Sequence, residues 1–211
     1  MRLTVLGATG ATGEHVLRQA TAAGHKVTAV VRGSSRPTFQ HPNIEVVRAD
    51  VTDPADLRAA IEGHDAVLSG IGPRSRKAAP IAAPATAAIL TAMADTGVRR
   101  LVTVSAAPVG PTPSEDSVFV RRGLIPVLRA ILKNVYADLD AMEAELDRSA
   151  ADWTAMRPPK LTKAAVTGTY RTHIGGNVPR GSTISRADLA HGMLAVLTDP
   201  ATFRRPVGIA Y

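Results

Sequence analysis

Short apolar runs alternate with stretches of helical periodicity along most of the chain. Leu3–Leu6 is an apolar run ending in a glycine cluster, and it predicts a buried strand. Glu14–Ala23 follows with Val16, Leu17 and Ala20 at helical spacing, and Gly24 stops it. Lys26–Val31 and Ile44–Arg48 are β-branched runs and predict the next two strands. Thr52-Asp53-Pro54 is a helix start, with Asp53 as cap and Pro54 at the first helical position. Asp65–Ser69 predicts a fourth strand, Ile81–Ala94 an alanine-rich helix, and Leu101–Ser105 a fifth strand.

Beyond Ser105 the pattern is less regular. Ala106–Asp116 carries three prolines and predicts a loop. Leu128, Ile131, Leu132, Val135, Leu139, Met142 and Leu146 recur every three or four residues and predict one long core-facing helix, with Asp138 and Asp140 as surface carboxylates. Trp153–Arg157 predicts a sixth strand, closed by Pro158-Pro159. Ser185-Arg186-Ala187-Asp188 has capping-box form and opens a last helix through Leu197, and Pro206–Ala210 predicts a final edge strand. Strands alternating with helices at this spacing imply an α/β fold: a doubly wound parallel sheet with helices on both faces. Residues 160–183 break the alternation and read as a small lobe on the substrate side of that sheet.

Composition narrows the function. At 211 residues with 45% hydrophobic and 20% charged side chains, the chain is an ordinary globular one of single-domain size. The absence of cysteine removes disulfide scaffolds, thiol catalysis and cysteine-based metal sites. The six histidines form no metal-ligand spacing, so no metal is expected. No apolar run approaches the roughly 20 residues of a membrane span, and the short stretch before Gly7 is no signal peptide, so a cytoplasmic protein is expected. The net charge of +7 invites a nucleic-acid partner, but the cations are dispersed, Arg74, Arg76 and Lys77 being the densest group. Aromatic residues at 3% are too few for base stacking.

The glycine cluster carries the strongest chemical signal. Gly7-Ala8-Thr9-Gly10-Ala11-Thr12-Gly13 follows the first strand and opens a helix, where backbone N–H groups of Thr9, Gly10, Ala11, Thr12 and Gly13 can meet a pyrophosphate. Glu14-His15 follows instead of Lys-Ser or Lys-Thr, which excludes a Walker phosphate loop. The second strand ends Val31-Arg32-Gly33-Ser34-Ser35-Arg36, without the carboxylate that would hold a ribose 2′-hydroxyl. Arg32 and Arg36, with Ser34 and Ser35, instead suit a 2′-phosphate, so NADPH is the expected cofactor. Asp50-Val51 after the third strand reads either as an adenine contact or as turn chemistry. Ser69-Gly70-Ile71-Gly72-Pro73 ends the fourth strand with small residues that let the nicotinamide half pass close to the backbone.

These pieces together resemble the atypical short-chain dehydrogenase/reductase group, in its NAD(P)H-binding, NmrA-like and flavin-reductase-like branch. The resemblance rests on GATGATG at residues 7–13, Arg32, Ser105, and Trp153-Thr154-Ala155-Met156-Arg157-Pro158-Pro159. It continues through Thr167-Gly168-Thr169-Tyr170 and Ile184-Ser185-Arg186-Ala187-Asp188-Leu189. It implies a Rossmann fold and hydride transfer from NADPH to a planar acceptor such as a flavin or tetrapyrrole. It also implies a cofactor site that includes Pro158, with Ser105 near the nicotinamide. Where biliverdin reductase B-like members carry a histidine after the Pro-Pro pair, this chain has Lys160, which can hold an anionic acceptor.

The Tyr-x-x-x-Lys pair of typical short-chain dehydrogenases is missing: Tyr136 is followed by Asp140 and Tyr170 by Ile174. A flavin or quinone acceptor can take its proton from water, so positioning alone suffices for it. The same absence suits a second reading, an NADP(H)-binding redox sensor that regulates a partner without turnover. Val118-Phe119-Val120 and Gly123-Leu124-Ile125-Pro126 form an apolar stretch that reads as a substrate lid or wall, or as an oligomer contact. The expected partners are a small planar acceptor and copies of the chain in a monomer or small homo-oligomer, without nucleic acid or membrane.

Overall fold

The computed structural model describes residues 1–73 and 78–211, so the Arg74, Arg76 and Lys77 group lies outside the described residues. The elements run β1 (Arg2–Leu6), α1 (Ala11–Ala22), β2 (Lys26–Val31), β3 (Ile44–Arg48), α2 (Pro54–Ile61), β4 (Ala66–Ser69), α3 (Ala82–Thr96) and β5 (Arg100–Val104). After a 3-10 turn at Ala107–Val109 and a π-helical turn at Val120–Leu124 come α4 (Ile125–Ile131), α5 (Lys133–Arg148), β6 (Asp152–Arg157), β7 (Lys160–Thr162) and β8 (Arg171–Ile174). The chain then runs through β9 (Thr183–Ser185), α6 (Arg186–Ala195), a 3-10 turn at Pro200–Thr202 and β10 (Arg205–Ala210).

The large sheet has the order β3-β2-β1-β4-β5-β6-β10-β8. Every pairing in it is parallel except β10 with β8. The order reverses at β1, with β2 on one side and β4 on the other. In such sheets that reversal opens a crevice beyond the carboxyl ends of the strands. This is the Rossmann-like α/β fold.

The core lies in two layers, one on each face. On one, Leu3, Val5, Ala29, Val102, Met156 and Ile209 meet α1 and α6 through Leu17, Ala20, Leu189 and Met193. On the other, Leu6, Val30, Val67, Leu101 and Trp153 meet α2, α3 and α5 through Leu57, Ile61, Ile89 and Leu146. Strands buried on both faces are apolar without alternation, which is why they were visible as continuous runs. Thr4, fully buried in β1, is satisfied by donating to the Ala60 carbonyl at 2.5 Å. Asp53 caps α2 as expected, accepting from the Ala55 N–H at 2.9 Å with Pro54 inside the first turn.

Four sequence expectations are corrected. Pro206–Ala210 is not an edge strand: β10 lies inside the sheet, and β8 covers it as the outer, antiparallel strand. Residues 160–183 therefore divide between two places, since β7 pairs with β9 in a separate two-stranded sheet while β8 joins the large one. The long helix is broken at Leu132, whose φ of −109° and ψ of 28° leave the helical region. Its apolar stripe is core only from Leu139 onward; Ile131 is 57% exposed, as α4 stands away from the sheet. Asp138 is buried rather than exposed, for the reason given next.

Candidate active site

The turn after β1 is shaped by two glycines. Gly7 has a φ of 72°, and a Cβ there would lie 2.8 Å from the Gly70 carbonyl carbon. A Cβ on Gly13 would lie 2.1 Å from the Gly7 carbonyl oxygen. The turn therefore folds tightly on itself and against the end of β4, closed by Gly10 N–H donating to Gly7 O at 2.8 Å. Gly10 caps α1 without any side-chain hydrogen bond, so no side chain competes for the first-turn N–H groups. That terminus can take an anion.

A cleft of about 140 Å³ opens beside this turn. It is lined by Gly7, Thr9, Gly10, Val30, Val31, Arg32, Ser35, Val51, Gly70, Ile71, Gly72 and Ile81, with no carboxylate among them. Nine residues singled out from sequence thus meet in one place: Gly7, Thr9, Gly10, Arg32, Ser35, Val51, Gly70, Ile71 and Gly72. Ala11, Thr12 and Gly13 lie in the adjoining first turn of α1, and buried Ser69 ends β4 beneath Gly70. Gly33 takes a φ of 53°, and the Ser35 N–H donates to Arg32 O at 3.1 Å, which closes the turn carrying the cleft's cation.

Of the predicted site residues, Arg36, Asp50, Ser105, Pro158 and Lys160 do not line the cleft. Arg36 lines a neighbouring groove of about 550 Å³ along β3, together with Phe39, His41 and Arg48. Asp50 is exposed, and its Oδ1 accepts from the Thr52 N–H at 2.9 Å and the Thr52 hydroxyl at 2.7 Å. Those two bonds outweigh its slight burial and, with Arg32 nearby, lower its pKa, so turn chemistry accounts for Asp50.

Ser105 and Pro158 lie side by side past the ends of β5 and β6. The ladder continues through Ser105 N–H to Met156 O at 2.8 Å and Ala107 N–H to Pro158 O at 2.9 Å. Both residues are buried, whereas Lys160 is exposed on β7. Ser105 Oγ donates to Glu143 Oε1 at 2.5 Å. Arg157 Nε donates to the same oxygen at 3.0 Å, and Arg157 Nη2 forms the ion pair with Glu143 Oε2. Gly110 leaves the guanidinium its room, since a Cβ there would lie 2.3 Å from Arg157 Nη1.

Asp138 closes the other wall. Its Oδ2 accepts from the N–H groups of Ile81 and Ala82 at 2.8 and 2.9 Å, and its Oδ1 from Ala83 at 2.9 Å. The helix α3 has no cap of its own at Ile81, so α5 supplies one and holds Ile81 at the cleft. Tyr136 is buried beside Ala82, Leu139 and Met142, and burial, only partly opposed by Arg129, raises its phenol pKa.

Sequence reasoning missed Asp138, Glu143, Arg157 and Ile81. A signal existed for the two acids. Asp138 is three residues after Val135 and four before Met142, and Glu143 is four after Leu139 and three before Leu146. The helical period therefore places both on the buried stripe. Their polarity masked a position that the spacing gives away.

Residues 7–200 match the NAD(P)H-binding family. The chain belongs to that family. The glycine turn, the uncapped start of α1 and the cationic cleft fit a dinucleotide. A solved protein from Burkholderia pseudomallei is 26% identical, with a TM-score of 0.81 and both chains covered in full. A short-chain dehydrogenase/reductase from Veillonella parvula in complex with NADP is 18% identical, with a TM-score of 0.80 over 100% of this chain and 94% of that one. ChuY, an anaerobillin reductase from Escherichia coli O157:H7, is 19% identical, with a TM-score of 0.77 over 100% and 97%. The last two likenesses speak for the fold alone. The chain spans 14% of the length of the Mycobacterium tuberculosis protein Rv2047c, to which it is 31% identical over 124 residues. Among the described residues no helix is long and apolar enough to cross a membrane.

Proposed function

We propose that the chain is an oxidoreductase that prefers NADPH and reduces a planar acceptor of flavin, quinone or tetrapyrrole type. The observation carrying this reading is the cleft in which Arg32 and Ser35 stand beside the glycine turn with no carboxylate in the lining. NADPH, when bound, supplies the hydride. The N–H groups of Thr9, Ala11, Thr12 and Gly13 hold the pyrophosphate, helped by the positive end of α1. Arg32 gives the 2′-phosphate a salt-bridged hydrogen bond and the Ser35 hydroxyl a second donor to the same anion, while Arg36 and Arg48 add positive charge at the mouth of the neighbouring groove. Small residues at Gly70 and Gly72 leave the nicotinamide half its path. Pro158 and Ser105 border that half, and exposed Lys160 attracts an anionic acceptor.

No tyrosine–lysine pair stands by to protonate a carbonyl, which directs the chemistry to acceptors that take their proton from water. Consumption of NADPH by the purified protein with FMN, FAD, quinones and biliverdin, with NADH in parallel, tests the reading. Turnover with one acceptor class and NADPH above NADH is expected. Binding of NADPH with no turnover on the whole panel would instead support the sensor reading, which the burial of Tyr136 and the absence of its lysine partner favour.

A further inference from the structure

The stretch beyond the loop that leaves β5 differs from the rest of the surface. Five of the ten large apolar side chains exposed among the described residues lie in it: Val118, Phe119, Leu124, Val127 and Ile131. The same stretch is basic. Residues 117–137 carry Arg121, Arg122, Arg129 and Lys133 and no acidic side chain. Of these four, only Arg129 meets a carboxylate among the described residues, that of exposed Asp140 at 3.1 Å. The backbone is helical from the π-helical turn into α4, since Phe119, Leu124 and Ile125 all hold right-handed helical dihedrals. Residues three and seven apart share a face of such a helix. Leu124, Val127 and Ile131 therefore form one exposed apolar stripe, and Arg122 and Arg129, seven residues apart, turn to the opposite side.

We infer that this segment is a seat on an anionic lipid surface, its apolar stripe entering the headgroup boundary and its cations meeting lipid phosphates. An exposed apolar stripe with cations and no acid complements a surface that is negative on top and apolar beneath. A second copy of the chain is a poorer occupant. A twofold contact sets a patch on its own equivalent, and two sets of four cations would then face each other with no acid from the segment between them. A small planar acceptor is too short. From Val118 to Ile131 the helix runs about 20 Å, more than one ring system covers. Sequence reasoning expected no membrane partner because no apolar run is long enough to span. Lying on a surface needs only an apolar stripe, so the missing span does not bear on it. The proposal does not depend on the reductase reading.

The test is co-flotation of the full chain with vesicles of equimolar phosphatidylcholine and phosphatidylglycerol, and with phosphatidylcholine alone, at about 0.1 M salt. Binding to the anionic vesicles and not to the neutral ones is expected. One cation at an anionic surface contributes about a fivefold gain in partition. Arg121→Gln with Arg122→Gln should therefore weaken binding about 25-fold. Arg2→Gln with Lys26→Gln removes the same charge from the amino ends of β1 and β2, at the other end of the sheet. That pair should matter far less, because charges more than about 10 Å from the surface are screened. Val127→Gln with Ile131→Gln keeps the charge and should weaken binding about tenfold or more through lost apolar burial. All six altered side chains are exposed, so each variant should keep the wild-type Tm. No flotation with the anionic vesicles, equal flotation with the neutral ones, or equal losses in the two charge variants overturns the proposal. Full binding by the Val127→Gln, Ile131→Gln variant overturns it too. A wild-type dimer in light scattering that this variant dissolves assigns the face to a second copy and overturns it as well.

Discussion

Replacing Asp138 by alanine removes three hydrogen bonds in one step. The acceptors for Ile81, Ala82 and Ala83 N–H vanish, at 2.8, 2.9 and 2.9 Å. A truncated N-cap costs about 1 kcal/mol, and up to about 2 in a protein. Here the cap is a carboxylate, 4% exposed, facing the positive end of a 15-residue helix. The Ala82 N–H is buried and stays unsatisfied, a penalty of about 1–3 kcal/mol, while Ile81 and Ala83 are half-buried and partly regain water. The sum is a loss of about 3 kcal/mol for Asp138→Ala. Asp138→Asn keeps one acceptor oxygen and should lose about half as much. Urea unfolding followed by far-UV circular dichroism, with linear extrapolation, reads both numbers. Since Ile81 lines the cleft, NADPH affinity should also drop in the alanine variant under conditions where it remains folded. A loss below about 0.5 kcal/mol for Asp138→Ala, or an asparagine variant no better than alanine, would refute the assignment of Asp138 as the cap of α3.

Other outcomes follow from the same geometry. Burial raises the pKa of Asp188, but the Tyr211 hydroxyl, the Gly168 and Thr167 N–H groups and the Thr167 hydroxyl outweigh it and hold it at about 2. A carboxyl depressed in the folded state stabilises above its unfolded pKa near 3.9, so about 2.5 kcal/mol should be lost as pH falls from about 5 to below 2. Asp188→Asn should flatten that acid limb of a stability–pH curve, and an unchanged limb would contradict the shift. Gly13→Ala places a Cβ 2.1 Å from Gly7 O, so the turn must open, and NADPH binding should be lost in a titration that still detects folded protein. Lys160 is exposed, so Lys160→Ala should leave the Tm unchanged yet lower kcat/KM for anionic acceptors relative to neutral ones. An equal change in kcat/KM for both classes would remove Lys160 from the site.

The sheet was legible wherever strands are buried on both faces. Lys26–Val31 coincides with β2, and the first, fourth and fifth predicted strands agree with β1, β4 and β5 to within a residue or two; Ile44–Arg48 coincides with the largely exposed edge strand β3, where β-branched Ile44, Val46 and Val47 gave the signal instead. The outer strand β8 escaped notice because Arg-Thr-His-Ile is exposed at all four positions and carries no burial pattern. The break at Leu132 was invisible because the apolar period continues across it, although the backbone does not. In the site, the glycine turn and Arg32 declared themselves through backbone demands and charge. Asp138, Glu143 and Arg157 did not, because their roles depend on partners 14 to 57 residues away that only the fold brings together.

The central claim is that Arg32 makes this a cleft for the phosphorylated dinucleotide. Titration of NADPH and NADH against the wild type and Arg32→Ala, followed by nucleotide fluorescence, tests it most directly. The account predicts tighter NADPH than NADH in the wild type, and a loss of about 1.5–3 kcal/mol for NADPH in Arg32→Ala, with NADH nearly unchanged. Equal losses for the two nucleotides, or a wild type that binds NADH as tightly as NADPH, would contradict it.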